Sequence, residues 1–193
     1  MITLKNLAPL AVGALLFTYC TPQDTSSTET ATSEVADTTY TFVEAQAPIW
    51  EEAIAQIEEL ADAMPEDNYD YRPHDSVMTF SEQLIHIGGS SKVMANMFLK
   101  DEQPSGPPPE MDASAMSKDE VVEYVVTNLR EAGDIMSSVS DEALQEETQS
   151  FSGRSITRMQ GLLMIHDHLT NHKAKANLYV RVSGNTPPNY RYY

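Results

Sequence analysis

The sequence has a single cysteine, Cys20, in 193 residues. One thiol can build neither a disulfide framework nor a cysteine-based zinc site. Glycine is scarce at eight residues, which excludes a collagen-like or glycine-rich class. Positive charge is scarcer still in proportion: 12 Lys and Arg stand against 29 Asp and Glu, a formal net charge of −17. Such a surface repels phosphate backbones and anionic lipid, so no nucleic acid is expected as a partner. The apolar run Leu7–Phe17 covers eleven residues, too few to span a hydrocarbon core ~30 Å thick. The whole chain is 41% hydrophobic, enough to bury a core, in a length that suits one domain plus a tail.

The first twenty residues read as an export signal. Met1–Asn6 is short and carries Lys5, the run Leu7–Phe17 follows, and Cys20 closes it before a polar stretch. The length of the apolar run is that of a signal-peptide core. The segment resembles a bacterial lipoprotein signal, in which the cysteine becomes the lipidated first residue, although Phe17 and Tyr19 stand where leucine and a small residue are usual. The resemblance implies a signal peptide over 1–20, lipidation at Cys20, and an exported chain at the cell envelope, periplasmic or on the outer surface. Contact with the membrane is then expected only through the lipid anchor, which two acyl chains make stable at ~0.8 kcal/mol per CH₂. Between Thr21 and Thr39 there are seven threonines, three serines and four acids, with no lysine or arginine. Residues 21–40 are therefore expected to be a disordered linker, too polar to offset chain entropy.

Residues 41–193 read as helical. Trp50, Ile54, Ile57, Ala61 and Met64 step by three and four, an apolar stripe along one helix face. Thr41-x-x-Glu44 has the form of a capping box, but a helix starting there would enclose Pro48, so a start near Ala47 with proline in the first turn is expected instead. A second stripe runs Val77, Phe80, Leu84, Ile87, Ser91, Met94, Phe98, with a capping box at Thr79 and Glu82. Pro104–Pro109 marks a long loop. The third helix opens on the Ser117–Glu120 box, and Ser140–Gly153 is a polar connection. The last helix is expected from about Ser155 to Val182. No long segment alternates with period two. The expected class is all-α, a four-helix bundle preceded by the signal peptide and linker, with an irregular all-α domain as the alternative.

Five histidines are present, and three fall in apolar company. His168 and His172 lie one turn apart on the last helix, so their rings share a face, and His172 occupies a stripe position between Leu169 and Ala176. His86 sits between Ile85 and Ile87 in the second helix. An unpartnered polar ring on a bundle seam costs free energy. Three neutral imidazoles from two helices would satisfy one another through a divalent metal and leave positions open for water or substrate. A hydrogen-bonded core pair is the competing reading of the spacing. Glu82, one turn before His86, either caps its helix or orients that imidazole. Asp167 is either a surface acid or a partner of the histidines. His166 faces another side and is expected to be solvated or capping, and His74 follows Pro73 in an exposed turn.

Two segments carry a resemblance. Tyr71-Arg-Pro-x-x-x-Val77-Met-Thr-Phe80-Ser-Glu-Gln-Leu84-Ile-His86 and Asp167-His168-x-x-x-His172, followed by Tyr179-x-Arg181 and then Gly184 and Pro187-Pro188, are similar to the DinB/YfiT-like family. The similarity extends over about residues 43–190. It implies a four-helix bundle with a divalent metal, nickel or zinc, on His86, His168 and His172, and chains that pair as homodimers. Some relatives transfer low-molecular-weight thiols and others resemble metal-dependent hydrolases, so it implies a thiol transferase or hydrolase acting on a small molecule. Many members have Arg-Gly-Gln after the second histidine of the pair, where this chain has Lys173-Ala-Lys175. A non-catalytic metal- or ligand-binding module is the alternative. No Ser-His-Asp motif or phosphate-binding glycine loop competes.

Overall fold

The computed structural model describes residues 40–104 and 111–191. The expected export signal with Cys20, the expected linker as far as residue 39 and most of the expected Pro104–Pro109 loop lie outside the described residues. Four helices account for most of the rest: α1 (Phe42–Ala63), α2 (Phe80–Lys100), α3 (Lys118–Ser137) and α4 (Arg158–Val182). Among the described residues no helix is long and apolar enough to cross a membrane.

Each helix begins at a reciprocal capping box. Thr41 with Glu44, Thr79 with Glu82, Ser117 with Glu120 and Thr157 with Gln160 each exchange a side-chain and a backbone hydrogen bond, satisfying two amide groups that a helix start leaves unpaired. The expected start of α1 near Ala47 is therefore corrected to Phe42, with Pro48 inside the helix. An interior proline removes one helical hydrogen bond and crowds the preceding turn. Here that cost is offset by the Thr41 box, by the Asp141 carboxylate, which accepts from the N–H groups of Phe42 and Val43 at 2.9 and 3.3 Å, and by burial of Val43. Val77, assigned to the second stripe, is instead exposed and precedes α2.

The α1 and α2 helices each pack against α3 and α4, which makes these two consecutive helices a diagonal pair and their connection a crossover. Trp50, Phe80, Phe98, Leu129, Met136 and Leu162 fill the centre with essentially no exposure. The Trp50 indole donates to the Leu129 carbonyl at 2.9 Å. At Gly88 of α2 a Cβ would stand 2.8 Å from the Val125 Cα, so the absence of a side chain sets how closely α2 and α3 approach.

The polar connection before α4 is not featureless. Glu147–Gln149 (β1) pairs antiparallel with Ser155–Thr157 (β2), with Thr148 opposite Ile156, so α4 starts at Arg158 rather than at Ser155. The hairpin docks on the end of α2. Asp101, in the left-handed conformation at φ 57°, accepts from the Thr148 hydroxyl at 2.8 Å and pairs with the Arg158 guanidinium at 2.7 Å. Arg158 also donates to the Leu99 carbonyl and pairs with Glu146 at 3.2 Å.

Candidate metal centre

The facing surfaces of α2 and α4 carry a short polar ladder in an apolar seam. On α2, Gln83, His86 and Ser90 are spaced by three and four residues, so they share one face. On α4, His168 and His172 are one turn apart. The Gln83 carboxamide lies 2.7 Å from Nδ1 of His172, and the Ser90 hydroxyl lies 2.8 Å from Nε2 of His168. The two pairs occur in opposite order along the chain, so the helices run antiparallel here and His86 falls between the rungs. Its ring centroid is 5.0 Å from that of His168 and 4.4 Å from that of His172, and the last two are 4.4 Å apart. One ligand nitrogen from each of the three lies within 4.8 Å of the others.

The rings are partly buried, and burial disfavours a charged imidazole. That dominates the lowered basicity of all three. Desolvation, with smaller repulsion from His86, His168 and the Lys175 ammonium, pushes His172 down to about 4. His86 is lowered by burial and then by Lys175. In His168 burial, His86 and Lys175 outweigh the opposing pull of Asp167. At neutral pH the cluster therefore offers three uncharged rings with nitrogen lone pairs, the donor set that zinc and nickel take from proteins. Three such donors from two rigid helices fit a divalent ion.

The other expected residues sit apart from this ladder. The Glu82 carboxylate accepts from the Thr79 N–H at 2.7 Å in the capping box. Asp167 is exposed on α4 and acts on His168 through its charge. His74 is exposed and 2.8 Å from the Ser76 hydroxyl. His166, expected to be solvated or capping, packs edge-on against Trp50 at 5.2 Å and lies 3.0 Å from the Gln46 carboxamide. Burial lowers its basicity too, so it is an uncharged core ring. Gln83 and Ser90 escaped the sequence reading, although their spacing of −3 and +4 from His86 marks them as its helical neighbours.

A diagonal helix bundle with a histidine from its second helix and a His-x-x-x-His pair from its fourth defines a class of three-histidine bundle proteins. The chain belongs to the DinB superfamily, whose sequence model matches residues 49–175 and so takes in all three histidines. It is 28% identical over 131 residues to the uncharacterised protein YjoA of Bacillus subtilis, a match spanning 66% of this chain and 82% of YjoA. Two solved structures share the fold. The crystal structure of the DinB-like protein YjoA superposes with a TM-score of 0.62 at 23% identity, covering 76% of this chain and 96% of YjoA. That of a DinB-like protein from Bacillus cereus gives 0.65 at 17% identity, covering 79% of this chain and all of that one.

Proposed function

We propose that this DinB-superfamily chain binds a divalent metal, nickel or zinc, on His86, His168 and His172 and works as a metal-dependent enzyme of the thiol-transferase or hydrolase type at the cell envelope. The observation that carries this is the convergence of three uncharged imidazoles from α2 and α4 within reach of one ion. When bound, the ion would act as a Lewis acid, making a water or a thiol more acidic and so more nucleophilic at neutral pH. The chain's own part is to keep the rings neutral and aimed. The Gln83 carboxamide nitrogen is the atom that stands against Nδ1 of His172; turning the amide over would bring its oxygen to accept the Nδ1 proton and leave the Nε2 lone pair free for an ion. The Ser90 hydroxyl occupies the His168 nitrogen through the same kind of contact and must turn away, or yield to the other ring nitrogen, when the site fills.

Elemental analysis of the purified protein is expected to find a stoichiometric divalent ion. A His172→Ala variant should keep its helical circular dichroism and lose the ion. Absence of metal, together with melting indifferent to chelator, overturns the reading. Turnover in a panel of thiols with electrophiles, and of activated esters, separates the enzyme from the second reading, a non-catalytic metal- or ligand-binding module that pairs as a dimer. The envelope location rests on Cys20 and the run before it. Labelled fatty acid should enter the wild-type chain in a bacterial host and fail to enter Cys20→Ser.

A further inference from the structure

On the other side of α4 from the histidines, a cavity of about 240 Å³ opens between α1, α4 and the C-terminal segment. Most of its accessible wall is apolar, with Leu60, Pro188 and the Tyr190 ring contributing. Two cations line it. The Lys173 ammonium, half-buried, donates to the Gln56 carboxamide oxygen at 2.8 Å and lies 5.7 Å from the centroid of the Tyr190 ring. Neither neighbour carries a full negative charge. Arg181 reaches the same cavity with its Nε held by the Asn177 carboxamide at 3.2 Å.

The acids nearby are committed elsewhere. Arg191 holds Glu52 through Nε at 2.6 Å and Glu59 through its two terminal nitrogens at 2.8 and 2.9 Å. Among the described residues, the carboxylates in contact with this group of three cations are Glu52 and Glu59, both paired with Arg191, and Glu52 acts on Lys173 only through its charge, so cations locally outnumber acids in a chain that is acidic overall. A half-buried ammonium with only a neutral acceptor is incompletely compensated, and an anion is the group that completes it.

We infer that this cavity is a second ligand site, distinct from the histidine cluster, for a small organic carboxylate with an apolar or aromatic body. The carboxylate takes the Lys173 ammonium and the Arg181 guanidinium, and the body lies against Leu60, Pro188 and Tyr190. The volume admits a ligand about the size of benzoate. A longer acyl chain would have to leave through the mouth.

Benzoate and its neutral isostere benzamide are the probes, titrated calorimetrically into the full chain with chelator present, so that no metal at the histidines takes part. Benzoate is expected to bind saturably and benzamide about tenfold more weakly, the factor that one charge-assisted hydrogen bond contributes. Lys173→Gln and Arg181→Gln should each weaken benzoate severalfold and leave benzamide unchanged. Arg181 is exposed, so its variant tests the site even if Lys173→Gln disturbs the fold. Arg130→Gln, which removes a cation paired with Glu58 on α1, should change nothing. Equal affinity for the two probes, no saturable binding, or benzoate binding untouched by Arg181→Gln overturns the assignment.

Discussion

At the scale of single residues, the histidine cluster is defined as much by its neighbours as by its rings. Gln83 is buried and touches His172; replacing it by leucine removes the group that fixes which ring nitrogen carries the proton. Metal affinity, read by competition with a chromogenic chelator, should fall about 10–100-fold, the usual cost of losing such a partner, while helicity is unchanged. The lowered basicity of His172 gives a second prediction. The folded chain, with His172 at about 4 against an ordinary 6.5, binds fewer protons than the unfolded chain between those values. Stability therefore rises with pH across that window and is lost as pH falls from about 6.5 towards 4. Melting of the chelator-treated protein should follow this course, and His172→Gln should make it shallower, the remainder coming from His86, His166 and His168, which burial lowers as well. The carboxylates of Glu52, lowered by the Gln56 hydrogen bond and then by Arg191, and of Glu59, lowered by Arg191, lie below the ordinary glutamate value and lose their contribution only at more acidic pH.

The helices show why local pattern predicted most of the architecture and where it failed. Three- and four-residue spacing of Trp50, Ile54 and Ile57, or of Leu84, Ile87 and Met94, specifies a buried face whatever the neighbours are, and the Thr79 and Ser117 boxes mark true helix starts. The start of α1 was misplaced because the decisive contact, Asp141 on the Phe42 and Val43 amides, comes from about a hundred residues away. Strands of three residues are too short to alternate visibly, and β1–β2 is held by Thr148 on Asp101, a pairing no local rule contains. The His-x-x-x-His pair and His86 were legible because helical spacing alone aligns them. Their ladder partners became visible only once α2 and α4 were seen to run antiparallel. His166 misled because its neighbour Trp50 lies on α1. At Gly88 the helix approach is directly testable. Gly88→Ala meets the Val125 backbone, which cannot yield as a side chain would, and should cost about 1–3 kcal/mol in denaturant unfolding despite alanine's better helix propensity.

At the scale of the molecule, a metal bound at the proposed site would be coupled to folding, because the three histidines come from two helices brought together only in the folded state. Zinc or nickel added to stripped protein should raise the melting temperature in a concentration-dependent way, with chelator reversing it. Asp101 has a comparable effect without any ion. Its carboxylate receives the β-hairpin through Thr148 and the first residue of α4 through Arg158, while its backbone ends α2. The three segments it gathers cannot loosen one at a time without stranding charge. Amide protons at the end of α2, along the hairpin and in the first turn of α4 should therefore exchange with deuterium as one cooperative block, and Asp101→Ala should break that block into separately fraying parts.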